Sequence, residues 1–136
     1  MDVKGKKAIV LGGTSGIGLA TTNRLTELGA KVVAVSREPE RAKDLVAQGV
    51  ELRSCSVLDR TGLKRLFEEW SKFDVLVCAA TGGSRAAGPF LEMDLDAYQA
   101  SFAKLWGYTN AVRLGAELLN SQGSIVLVSG APARKT

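Results

Sequence analysis

Apolar and polar positions along this chain switch between two periods. Short runs rich in β-branched residues read as strands: Lys7–Gly12 (KAIVLG), Lys31–Ser36 (KVVAVS), Val50–Cys55, Phe73–Ala79 (FDVLVCA) and Ser124–Ser129 (SIVLVS). Between them the spacing predicts helices over Gly16–Leu28, Pro39–Gln48, Arg60–Ser71 and Asp94–Leu119. Boundary residues support these spans. Gly29 stops the first helix and Gly49 the second. Pro39 suits a first helical turn, and Glu38 and Glu40 suit its dipole. Asp59 is placed to cap the third helix. The fourth strand is apolar on both faces, as buried parallel strands are. A loop rich in Gly, Ala and Ser follows it at Thr81–Pro89.

Strand and helix in alternation predict one α/β domain, a parallel sheet with helices on both faces and right-handed crossovers. No internal repeat, low-complexity tract or linker divides the 136 residues.

The best-defined motif is Gly12-Gly13-Thr14-Ser15-Gly16-Ile17-Gly18, between an apolar strand and a helix. Gly12 suits the tight turn, Gly16 a close backbone approach to a pyrophosphate, and Gly18 close packing of the helix. The helix start offers N–H groups and a positive dipole end to an anion. Thr14 and Ser15 add hydroxyl donors.

The GGTSGIG loop and the order of elements resemble the short-chain dehydrogenase/reductase family over the whole chain. That resemblance implies a Rossmann-like sheet in the order 3-2-1-4-5 and a nicotinamide cofactor held by Gly12, Thr14, Ser15, Gly16, Ile17 and Gly18. The second strand ends in Ser36 and Arg37 where an NAD site carries a carboxylate. Ser36 does not repel a 2′-phosphate, and Arg37 can pair with one, so NADP(H) is expected, with NAD(H) as the alternative. Glu38 stands close enough to weigh against this. Ser56-Val57 replaces the family's Asp-Val beside adenine. Cys78-Ala79-Ala80-Thr81 replaces its Asn-Asn-Ala-Gly, leaving Cys78, Ala80 and Thr81 as further contacts. The plain reading of Cys78 is a small buried apolar residue.

The family's proton donor is a Tyr with a Lys four residues later, a cation that favours the phenolate. No Tyr-x-x-x-Lys occurs here: Phe102 follows Tyr98 at that spacing and Val112 follows Tyr108. Gly130 falls at the family's catalytic Ser, with Ser129 one place early. Lys104 falls at its helical Asn. Ser129 and Lys104 are therefore weak catalytic candidates, and Lys104 reads equally as a solvated charge. The family's chains continue beyond the position where this one stops, so the expected domain, 1–136, looks incomplete at its C-terminal end. Two functions follow. One is the NADP(H)-binding part of an oxidoreductase acting on a small alcohol or carbonyl. The other is a nucleotide-binding or interaction module without catalysis.

Composition narrows the partners. With 18 basic and 14 acidic residues the net charge is +4, scattered apart from Lys4, Lys6, Lys7 and Arg134, Lys135. No basic stripe with interleaved aromatics points to nucleic acid. No apolar run reaches the ~18 residues of a membrane span. Cys55 and Cys78 are too few for a disulfide framework, so a reducing cytoplasm is expected. Histidine is absent, which removes the commonest general base and metal ligand, and no metal is expected. Tyr98, Phe102 and Trp106 form a stripe along the predicted helix 94–119, and the last strand offers an apolar edge. Both features predict association through that helix, most simply as a homo-oligomer.

Overall fold

The computed structural model describes residues 1–81 and 86–130. The final basic pair Arg134 and Lys135, and part of the loop Thr81–Pro89, lie outside the described residues. Five parallel strands form one sheet in the order β3-β2-β1-β4-β5. They are β1 (Lys7–Leu11), β2 (Lys31–Ser36), β3 (Glu51–Ser54), β4 (Phe73–Cys78) and β5 (Leu119–Leu127). The helices are α1 (Gly16–Glu27), α2 (Arg60–Glu69), α3 (Leu95–Ala100) and α4 (Ala103–Gly115).

The alternation within β1 explains the layers. Ala8 and Val10 point to one face and join Val32, Val75, Val77 and Leu25 of α1. Ile9 and Leu11 point to the other and join Leu63 and Phe67 of α2 and Ala111 of α4. Both sets in β1 are fully buried, which is why the strand is apolar at every position but its first. This is the doubly wound α/β fold, with helices on both faces.

Three expected elements differ. The helix Pro39–Gln48 is a single 3₁₀ turn, Pro39–Ala42. Beyond it the Asn23 side chain of α1 captures the backbone, donating to the Leu45 carbonyl at 3.0 Å and accepting from the Ala47 N–H at 2.8 Å. Side-chain bonds of this kind compete with the helical ladder.

The helix Asp94–Leu119 is broken into α3 and α4. Asp94 caps α3 by accepting from the Asp96 and Ala97 N–H groups. At the break, Ser101 Oγ donates to the Ala97 carbonyl at 2.9 Å and accepts from the Ala86 N–H at 2.7 Å. The loop before α3 is thereby tied to its end.

The last strand starts at Leu119 rather than Ser124, with a register shift where it passes Phe73 to Val75 of β4. Asn120 within that irregular stretch donates to Asp74 Oδ1 at 2.7 Å. Among the described residues no helix is long and apolar enough to cross a membrane.

Candidate nucleotide site

The carboxyl ends of β1 and β4 diverge into loops on opposite sides of the sheet order, and the cleft opens there. It measures about 170 Å³ and is lined by residues of all four loops that leave β1, β2, β3 and β4. Ligands of open α/β sheets sit at this switch point.

The first loop is shaped by two glycines. Gly12 has φ +76°, and a Cβ there would stand 2.6 Å from the Ala80 nitrogen. The turn after β1 therefore presses on the loop after β4, and only glycine fits. Gly16 has φ +51° and open space where a side chain would project. Room for a ligand remains above the first turn of α1. Gly18 faces inward, where an added Cβ would collide with the Gly12 carbonyl. Buried Thr22 braces the loop from below by donating to the Gly13 carbonyl at 2.9 Å. Ser15 is the N-cap residue of α1, and its side chain makes no capping bond. The first N–H groups of a helix have no partners within it and carry its positive dipole end.

The end of β2 supplies the most informative atom. Ser36 Oγ is shut off from solvent and has no hydrogen-bond partner. An unpaired hydroxyl in that position costs about 1–3 kcal/mol, and the residue that carries it borders the cleft. Arg37 beside it is exposed and belongs to no ion pair among the described residues. Its carbonyl accepts from Ser54 Oγ at 2.9 Å, which ties the ends of β2 and β3 together. Ser36 and Arg37 also border an adjoining cavity with Thr14, Ser15, Glu38 and Arg41.

The sequence candidates fall into groups. Gly12, Ser15, Ser36, Arg37, Ser56, Val57, Ala80 and Thr81 line the cleft together. Thr14 borders the adjoining cavity. Ile17 is 64% exposed on the first turn of α1 and borders neither. Cys78 is buried in the core, and burial pushes its thiol up to about 12. It remains a protonated, apolar-like residue, and Cys55 is the cysteine that reaches the cleft. Burial, then the Asp59 charge, raises the Cys55 thiol as well.

Lys104 Nζ sits 5.5 Å from the centre of the Tyr108 ring, a cation–π arrangement. The Tyr108 hydroxyl donates to the Val128 carbonyl at 2.6 Å. Burial raises this phenol above its ordinary value, the nearby Cys78 adds to the rise, and the Val128 bond opposes it. Lys104 therefore packs on a phenol that is already spoken for. Ser129 is exposed just past β5. Among the described residues no cluster of three or more His, Cys, Asp or Glu is placed to hold a metal ion.

Asn110 and Arg41 were not singled out by the sequence reading. Asn110 is buried in α4, where its Nδ2 donates to the Val57 carbonyl at 3.0 Å and its Oδ1 accepts from Arg60 Nε at 3.2 Å. It holds the Ser56-Val57 wall of the cleft. Its signal was an Asn in the middle of an otherwise apolar helical face, where such a residue is unfavourable without a partner.

A glycine loop at the switch point of a 3-2-1-4-5 sheet defines a nucleotide-binding α/β protein. Residues 6–135 match the short chain dehydrogenase family, and the chain belongs to it. It is 38% identical over 107 residues to Short-chain dehydrogenase reductase 4 of Arabidopsis thaliana, a match covering 73% of this chain and 36% of the relative. It is 35% identical over 104 residues to L-xylulose reductase of Mus musculus, covering 75% and 42%. The crystal structure of BdcA in complex with NADPH superposes with a TM-score of 0.83 at 25% identity, covering 100% of this chain and 56% of that one. The chain thus spans about half the length, or less, of these relatives.

Proposed function

We propose that the cleft binds NADP(H) and that the chain is the cofactor-binding part, 1–136, of a short-chain oxidoreductase acting on a small alcohol or carbonyl in the cytoplasm. The observation that carries this reading is the unpaired Ser36 hydroxyl beside an exposed Arg37 that belongs to no ion pair among the described residues, with no carboxylate at the end of β2. In this reading Gly12, Thr14, Ser15, Gly16, Ile17 and Gly18 present backbone N–H groups and hydroxyls to the pyrophosphate. Ser36 and Arg37 take the 2′-phosphate. Ser56 and Val57 flank adenine, and Ala80 and Thr81 border the ribose. The Cys78 side chain faces the core, so its part is confined to the backbone. Bound there, a nicotinamide cofactor supplies or accepts hydride at the substrate carbon. The NADPH complex of BdcA and the naming of a relative as a reductase of L-xylulose agree with the cofactor and the substrate class.

The test is Arg37→Ala, followed by fluorescence titration with NADPH and NADH. Loss of a charge-assisted bond weakens NADPH by about 1.5–3 kcal/mol and leaves NADH nearly unchanged. Equal weakening of both removes the NADP(H) assignment.

A second reading, a nucleotide-binding module without catalysis, has its own support. No Tyr-x-x-x-Lys occurs in these residues, and the hydroxyl of Tyr108 is bound to a backbone carbonyl. Turnover of NADPH across a panel of carbonyl compounds decides between them. Binding without turnover favours the module.

A further inference from the structure

The cavity that adjoins the cleft measures about 560 Å³ and is lined by one carboxylate, Glu38, and two guanidinium groups, Arg37 and Arg41. Resting on the NADP(H) reading of this site, we infer that Arg41 determines cofactor choice by masking Glu38. Arg41 Nε lies 2.6 Å from Glu38 Oε2. Arg41 lies in the 3₁₀ turn Pro39–Ala42, and Glu38, three residues earlier, is the N-cap of that turn. Its Pro39 and Ala42 are buried, and Pro39 has a fixed φ. Beyond the turn, Asn23 holds the backbone at Leu45 and Ala47. The backbone that brings Arg41 to Glu38 is therefore set by the fold, without the help of a ligand.

The chemistry of the cavity gives this pair its consequence. Thr14, Ser15, Ser36 and Arg37 offer donors suited to a phosphate monoester. A free carboxylate at Glu38 would oppose such a dianion. It would also be an acceptor for ribose hydroxyls, which is how a dinucleotide site favours NAD over NADP. Arg41 cancels that charge and draws the carboxylate to itself. Glu38 is acidic yet does not turn the site toward NAD, because its charge is already engaged.

The pair is exposed on both sides, at 83% for Arg41 and 61% for Glu38. Such pairs contribute little to stability, so replacing either residue leaves the protein folded.

The experiment is a set of dissociation constants for NADPH and NADH, by fluorescence titration, for the wild-type protein and three variants. Arg41→Ala should weaken NADPH roughly three- to fivefold, the scale of an exposed charge pair, and tighten NADH. Glu38→Gln should leave NADPH at least as tight as in the wild type. In the double variant the NADPH loss caused by Arg41→Ala should largely disappear, because there is no charge left to unmask. A loss of the same size with Glu38→Gln present would mean that Arg41 touches the phosphate directly, and would overturn the masking role while leaving the NADP(H) site intact. An Arg41→Ala variant that weakens neither cofactor overturns it too. Wild-type protein that binds no NADPH overturns the site reading and this inference with it.

Discussion

At the scale of single residues, most of the site is backbone and small side chains, and one buried amide holds it in shape. Asn110 satisfies the Val57 carbonyl and receives the Arg60 guanidinium. Gly107, one turn earlier, lets α4 approach so closely that a Cβ there would stand 2.6 Å from Val57 Cγ2. Replacing Asn110 by Ala strands a buried carbonyl and leaves the loop after β3 unheld. We expect a loss of about 1–3 kcal/mol in denaturant unfolding, together with weaker nucleotide binding. Unchanged stability in that variant would mean that water takes over the amide's bonds.

At the scale of elements, the sheet is tied at its amino-terminal edge by Asp74 of β4. Its carboxylate accepts from the Lys7 N–H of β1 at 2.9 Å and from Asn120 of β5 at 2.7 Å. The Asn120 bond, the Lys7 N–H and the charges of Lys6 and Lys7 hold the Asp74 carboxyl below its ordinary value, against a smaller opposing effect of burial. The sign follows directly. The folded state binds the Asp74 proton less readily than the unfolded chain, whose carboxyl titrates at about 3.9. This contribution to stability is complete above that pH and is lost as pH falls through the lower folded value. Unfolding measured from neutral pH down to about pH 2 should show the decline, and Asp74→Asn should flatten its acid limb. An unaltered acid limb would show that other carboxylates carry the dependence.

At the scale of the whole molecule, one flank of the described structure is apolar and uncovered. Phe90, Leu91, Leu95, Leu105 and Trp106 are each more than half exposed. Phe90, Tyr98 and Phe102 stack edge to face along this flank, with ring centres 6.3 and 5.5 Å apart. At the edge of the sheet, Val126 and Leu127 of β5 are nearly half exposed as well. Patches of this kind mark interaction surfaces. We propose that the α3–α4 flank associates with a second copy of the chain. Light scattering of the purified protein should give a mass above that of one chain, and Trp106→Glu should lower it. A monodisperse monomer would count against association.

How far the sequence alone reaches depends on the range of the forces involved. Strand and helix alternation, the sheet order implied by the family resemblance, and the glycine loop were all legible. The alternation follows from local periodicity and the loop from a turn that only glycine can make, as at Gly12, whereas the sheet order came with the resemblance. The broken helix at Ser101, the single turn at Pro39–Ala42 and the early start of β5 were not. Ser101 answers to Ala86, Asn23 to Leu45 and Ala47, and Asn120 to Asp74, and these partners meet only once the chain has folded. The same division runs through the site. Arg37 could be read from the residue type at the end of a strand. The unpaired Ser36 hydroxyl and the hold of Arg41 on Glu38 required the tertiary structure, because burial and ion pairing belong to positions in space rather than to residue types.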